Sequence, residues 1–182
     1  MSAGRTELVS VEELKARALE LGRVPEADDE AQGHQAGLLI LRLGKEWYGI
    51  SAGLIQEVVS APLVTALPLT PPFVAGVINL RGEILGVLDL GTLLGLPASG
   101  QSPRLAVVAR CHDISAAFLA DGVEDVQWFA SSKREPVLPT VSAAGARFLL
   151  GAYRSGTRLI TELNIDEVLN HPQLRPLRDG RG

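Results

Sequence analysis

Short apolar runs, each broken by a polar pair, a glycine or a proline, recur along this chain from Leu38 to Leu169. "LLILRL" (Leu38–Leu43) and "EWYGIS" (Glu46–Ser51) flank Gly44-Lys45 and predict a β-hairpin. "GLIQEVV" (Gly53–Val59) reads equally as a short helical turn or a strand. "APLVTALPLTPPF" (Ala61–Phe73) carries four prolines and so predicts an extended connector. "GVINLRGEILGVLDL" (Gly76–Leu90) predicts a second hairpin around Arg81-Gly82, with Asn79, Arg81, Glu83 and Asp89 interrupting an apolar background. "LGTLLGL" (Leu90–Leu96) predicts a short helical turn capped by Asp89. "LAVVAR" (Leu105–Arg110) and "ISAAFLA" (Ile114–Ala120) predict two further strands.

The flanks read differently. In "LVSVEELKARALELG" (Leu8–Gly22), Ser10 and Glu13 make a capping box, Val11, Leu14, Ala18 and Leu21 form one apolar stripe, and Gly22 is a stop. The pattern predicts a helix, open between packing on its own domain and docking a partner. "RVPEADDEAQGHQAG" (Arg23–Gly37) predicts a flexible acidic linker, and "PQLRPLRDGRG" after His171 a frayed tail.

The second half of the chain echoes the first. "RFLLGAYRSGTRLITELNIDEVL" (Arg147–Leu169) follows "GVINLRGEILGVLDLGTLL" (Gly76–Leu94) at a shift of 75, which pairs Gly76 with Gly151, Leu88 with Leu163 and Leu94 with Leu169. Earlier elements match at a shift of 68, Ile50 with Phe118 and Val58 with Val126. The difference is expected in a longer second loop, "QWFASSKREPVLPTVSAAGA". Identities are few, but the apolar phase agrees. The expectation is an all-β fold with minor helices, built as two five-stranded units. Sheets this small expose edges unless they close, so two packed barrels are expected.

Composition supports a real core: 46% of the 182 residues are hydrophobic and only 4% aromatic, so aliphatic side chains must fill it. A net charge of −4 without a dense basic run argues against nucleic acid as a partner. No apolar run approaches the ~20 residues that span a bilayer, and "MSAGRTELVS" carries no apolar signal core. A cytoplasmic protein without direct membrane insertion is expected. The single cysteine, Cys111, rules out an internal disulfide and a thiolate metal cage. Phosphate loops, paired-cysteine motifs, His-Glu-x-x-His and Gly-x-Ser-x-Gly elbows are missing from the sequence. "CHD" (Cys111–Asp113) looks triad-like, but neighbouring strand side chains point to opposite faces and cannot converge. Asp28-Asp29 resemble an acidic metal pair but follow no strand. No catalytic residue, metal ligand or cofactor is expected; a binding or scaffolding module is.

The ordered set "LLILRLGKEWYGI", "IQEV", "TALP" (Thr65–Pro68) and "GVINLRGEILGVLDL" closely resembles the CheW family, the coupling proteins of bacterial chemosensory arrays. The likeness extends more weakly through "RLAVVAR" and "FLADGVEDV" to "ITELNIDEVL". It implies two interlocked five-stranded SH3-like β-barrels over residues 37–171, divided at about 37–100 and 104–171, with strand exchange left open. An N-terminal helix and linker (1–36) precede that domain and a tail (172–182) follows it. It implies a non-catalytic scaffold that links chemoreceptor (methyl-accepting) signalling tips to a CheA-type histidine kinase, with other CheW-like domains as further partners. In the family the receptor tip binds in the groove between barrels and the kinase binds barrel to barrel. The alternative is a decoy or specialised adaptor that binds a different output protein through its N-terminal helix. Glu57 and Arg81 match a family glutamate and arginine that pair and matter for coupling. The notch would then orient a docking surface; the alternative is that Arg81 merely occupies the solvent side of a tight turn. Asn79 either bonds the connector's backbone or faces water. Ile55, Val58 and Val59 read either as core or as exposed anchors. Gly91 and Gly86 depart from an arginine and a proline common in relatives, and the receptor, stimulus and output served stay open.

Overall fold

A strand buries its backbone only by pairing, and pairing sorts these runs into two sheets. The computed structural model describes residues 8–10, 35–60, 62–97, 105–137 and 143–174. The strands are β1 (Leu8–Ser10), β2 (Gln35–Leu43), β3 (Glu46–Ser51), β4 (Ile55–Ser60), β5 (Val74–Leu80), β6 (Glu83–Asp89), β7 (Leu105–Cys111), β8 (Ile114–Ala120), β9 (Gly122–Ala130), β10 (Leu149–Ser155) and β11 (Arg158–Leu163). Short helices α1 (Leu90–Leu94), α2 (Ala143–Ala146) and α3 (Ile165–Leu169) join them. The first sheet runs β1-β4-β7-β8-β6-β5 and the second β10-β11-β3-β2-β9. The hairpin β2–β3 therefore belongs with strands from the end of the chain, and β7–β8 with strands from its beginning. The two five-stranded units are interlocked.

The repeat read in the sequence is a repeat of topology. Reading β4-β7-β8-β6-β5 against β9-β2-β3-β11-β10 gives the same order, and each unit has one parallel pair, β6 with β8 and β11 with β3. Both β5 and β10 carry a register shift, at Val74/Gly76 and at Leu149/Gly151. Both glycines have positive φ, 144° and 156°. A Cβ at Gly76 would lie 2.1 Å from the Thr65 carbonyl oxygen, and one at Gly151 would lie 2.8 Å from that of Glu135. The close approach lets each connector bridge the outer edge of its strand, Thr65 to Val77 and Glu135 to Ala152. Asp89 N–H donates to the Phe73 carbonyl and Asn164 N–H to that of Phe148, both at 2.8 Å. Asp89 then caps α1 through Thr92 N–H, and Asn164 caps α3 through Glu167 N–H.

Several segments depart from the sequence expectation. Leu8–Ser10 is a strand, not the start of a helix, because the outer edge of β4 accepts it: Leu8 pairs with Val59 and Ser10 with Glu57. The helix expected after Ser10 and the acid pair Asp28-Asp29 lie outside the described residues. Gln35–Gly37 is strand rather than linker, and Gln127–Ala130 is strand rather than loop. The two extend one ladder together, Gln35 against Ala130 and Gly37 against Trp128. "GLIQEVV" resolves into both options, a 3-10 turn at Ala52–Leu54 followed by β4. After His171, Pro172–Leu174 forms a 3-10 turn whose Leu174 is buried.

Three apolar clusters hold the sheets. One lies inside the first unit (Val59, Ile78, Leu85, Val87, Val108, Leu119) and a smaller one inside the second (Leu38, Ile40, Tyr153, Ile160). The largest lies between the units and draws on both, with Leu39, Leu41 and Ile50 meeting Val58, Val107 and Phe118. At its margin the His171 ring lies edge-on to Phe73 at 4.8 Å and tilted on Phe148 at 5.7 Å. Its Nδ1 accepts from Gln173 N–H. Burial, then the nearby Arg147 charge, holds the imidazole below its ordinary pKa.

Gly76→Ala is expected to cost ~2 kcal/mol or more through backbone strain and collision with Thr65. Thermal unfolding should show a Tm lower by ~4–8 °C. His171 is neutral in the folded chain, and its pKa rises on unfolding. The unfolded state thus takes up the proton first as pH falls below about 6.5, and stability drops over that range. Melts at about pH 7.5 and about pH 5.5 should show a larger loss for the natural chain than for His171→Phe.

Candidate protein-docking surface

The β5–β6 turn is type I′, with Arg81 at φ 52° and Gly82 at 91°. Glycine adopts this conformation freely; an arginine there is uncommon. Asn79 stabilises the turn, its Oδ1 accepting the Gly82 N–H at 2.9 Å. This bond lies within the turn, not to the connector, and the side chain stays exposed. The Arg81 guanidinium reaches Glu57 on β4, Nη2 to Oε2, at 3.1 Å. β4 and the β5–β6 hairpin lie on opposite sides of the first sheet's strand order, so this contact joins the two ends of a curled sheet. The arginine side chain is 68% exposed and the glutamate 15%, so one partner is fixed by the strand and the other is offered to solvent.

The second unit closes similarly with different residues. Phe129 of β9 stacks on Tyr153 of β10 at 4.8 Å, and Ser155 Oγ donates to Gln127 Oε1 at 2.8 Å. Arg158 of β11 binds Glu124 of β9 at 2.9 Å and lies over the Trp47 ring at 4.2 Å. Among the described residues Glu162 is the one buried charged side chain, paired with Arg134 Nη1 at 3.4 Å.

Between the units lies an open groove of about 1180 Å³. Val58, Ser60 and Leu105 form its wall from the first sheet. Glu124, Trp128 and Arg158 are among those from the second. Glu57 and Arg81, and cross-strand Asn79 and Ile84, form a separate patch, with Ile84 62% exposed. Ile55, Val58 and Val59 are buried, Ile55 and Val58 in the shared core and Val59 inside the first unit, while Val58 also borders the groove.

Sequence reasoning missed one cluster. Asp113 does not join Cys111 and His112. Asp166 of α3 does, with Oδ1 3.3 Å from His112 Nε2 and 3.8 Å from Cys111 Sγ. Burial, then the negative charge of Asp166, pushes the Cys111 thiol up, which is the reverse of what an activated nucleophile needs.

Comparison with known proteins gives these features a family. Residues 37–173 match the model of the CheW-like domain. Chemotaxis protein CheW of Thermotoga maritima is 33% identical over 115 residues, covering 63% of this chain and 75% of that protein. Protein PilI of Pseudomonas aeruginosa is 31% identical over 113 residues, covering 62% of this chain and 64% of PilI. The crystal structure of the scaffolding protein TtCheW from Thermoanaerobacter tengcongensis superposes with a TM-score of 0.64 at 27% identity, covering 71% of this chain and 89% of that one. An interlocked pair of SH3-like units is the fold of a coupling module, and the chain belongs to the CheW-like domain family. No helix among the described residues is long and apolar enough to cross a membrane.

An exposed ion pair contributes only ~0–1 kcal/mol to stability. Arg81→Glu is therefore expected to leave the Tm within about 3 °C of the natural chain in a thermal melt. A collapse of the first unit would instead show that the latch holds the barrel shut.

Proposed function

We propose that this chain is a non-catalytic adaptor that couples chemoreceptor signalling tips to a CheA-type histidine kinase in a cytoplasmic array. The observation that carries this reading is the CheW-like match over residues 37–173, within which both interlocked units and the groove between them are formed. An open groove walled by both apolar and charged side chains can take one face of a partner helix. The kinase engages by barrel-to-barrel contact at the first unit. Arg81 and Glu57 fix the rim there, and exposed Asn79 and Ile84 supply polar and apolar contact area. A bidentate-capable guanidinium held by one carboxylate still has donors free to meet a second acceptor.

A second reading, a specialised adaptor serving another output protein, draws on β1. Leu8–Ser10 adds to β4 next to Glu57 and so stands at the edge of the first unit.

The test is reconstitution with a CheA-type kinase and a receptor signalling fragment from the same genome. The full chain should raise kinase autophosphorylation several-fold only when all three are present, and Arg81→Glu should lower that gain at least ~5-fold with the fold intact. Association without stimulation would point to a decoy. Stimulation that survives deletion of residues 1–34, which leaves β2 whole, while a further bound protein is lost would favour the second reading.

A further inference from the structure

We infer that Cys111, His112 and Asp166 form a binding site for a divalent transition metal ion, of which zinc is the best fit. Their ligand atoms all lie within 4.8 Å of one another. The Asp166 Oδ1 to His112 Nε2 separation is 3.3 Å and Oδ1 to Cys111 Sγ is 3.8 Å. A tetrahedral zinc ion sits about 2.3 Å from sulfur, about 2.0 Å from imidazole nitrogen and about 2.0 Å from a carboxylate oxygen. Those lengths place nitrogen and oxygen about 3.3 Å apart and sulfur and oxygen about 3.5 Å apart. The resting arrangement is therefore already close to the liganded one. The remaining adjustment is a contraction between sulfur and nitrogen, and His112, at the tip of a hairpin with its side chain 76% exposed, is free to make it.

The surroundings are built to hold the other two ligands. Cys111 ends β7 and is buried in the core shared by the two units. Asp166 rides on α3, whose Ile165, Val168 and Leu169 are all buried in that same core. Asn170 Nδ2 donates to Asp166 Oδ1 at 3.0 Å, the kind of outer hydrogen bond that orients a metal-bound carboxylate. His112 adopts φ 53°, while the matching turn position of the other repeat is Gly44 at φ 61°. The copy that needs no side chain uses glycine; this copy accepts the cost of a left-handed residue and aims an imidazole at Asp166.

Three potential donors, the thiol, the imidazole and the Asn170 amide, converge on one oxygen. A divalent ion would replace the first two. Cys111 would coordinate as the thiolate, its proton passing to solvent, and His112 through the Nε2 lone pair with its proton on Nδ1. The fourth position would take water. One sulfur, one nitrogen and one oxygen suit zinc, cobalt or nickel and disfavour magnesium and calcium. Because β7 belongs to the first sheet and α3 follows the last strand of the second, the ion would cross-link the two units.

The experiment uses the full chain without an affinity tag, stripped with a chelator and titrated with zinc against a chromophoric competitor. One ion per chain with micromolar or tighter affinity is expected, with affinity at least ~100-fold weaker in Cys111→Ser and in Asp166→Asn and unchanged in His34→Gln. Zinc should raise the Tm of the natural chain by about 5 °C or more and leave that of Cys111→Ser unmoved. Cobalt in place of zinc should give a thiolate-to-metal charge-transfer band that Cys111→Ser lacks. That band remains informative should either variant lose stability. Absence of zinc binding, equal binding by Cys111→Ser and Asp166→Asn, or a cobalt spectrum without thiolate character would each overturn the site.

Discussion

Burial of β2 and β7 on both faces is the constraint around which this molecule is arranged. Alternate residues of β7, Ala106 and Val108, fill the interior of the first unit, while Val107, Ala109 and Cys111 face the core between units. In β2, Leu38 and Ile40 fill the second unit, and Leu39, Leu41 and Leu43 face the same shared core. A strand with two dry faces must be apolar along its buried length, which is why "LLIL" (Leu38–Leu41) and "LAVVA" (Leu105–Ala109) lack the polar alternation of a solvent-facing sheet. Each fully buried aliphatic side chain contributes ~1.5–3 kcal/mol relative to exposure, so these two strands outweigh every ion pair on the surface. Each unit has a small core of its own, but the largest cluster takes side chains from both, so neither unit buries its apolar surface alone.

That sharing explains the exchange of hairpins. The pairs β2–β3 and β7–β8 are interchangeable in pattern, each a tight antiparallel hairpin whose second strand runs parallel to a partner hairpin. Swapping them between units leaves the pairing within each hairpin intact and forces both cores to form together. The copies then diverge where a side chain must do something other than fill space. Gly44 in one hairpin tip stands against His112 in the other, and Gly156 in one turn against Arg81 in the other. In both cases one repeat has glycine at a left-handed position and the other a long polar side chain. A residue held in that conformation against its preference points to a task beyond folding.

Much of the fold could be read in the sequence because strand edges coincide with glycine, proline and polar pairs. The hairpins, the proline connector, the Asp89 cap and the repeat at 75 were visible for that reason. Which hairpin joins which sheet was not visible, since sheet membership depends on contacts far apart in the chain and the two hairpins have the same pattern. The ladder of Gln35–Gly37 with Trp128–Ala130 was hidden for a related reason. Each segment reads as polar or irregular alone, and only their pairing, with Gly37 giving room to the Trp128 ring, makes either a strand. Glu57 and Arg81 were found through their resemblance to a family pair; periodicity alone leaves Arg81 as a turn residue. Asp166 was missed because it lies 55 residues from Cys111, and the neighbouring Asp113 supplied a misleading acid.

A scaffold must keep its exposed groups in place without spending its stability on them. Here the two demands are separated in space. The dry strands β2 and β7 set the shape, and the glycine bulges at Gly76 and Gly151 let the connectors close over the sheet edges. Arg81 sits at the end of that rigid chain of contacts, held by a single carboxylate and a turn that Asn79 fixes from below. Removing its charge alters little that the core depends on, yet it changes an exposed cation on the first unit. An exposed residue of this kind can change while the same double barrel persists, because the energy that maintains the fold resides in other side chains.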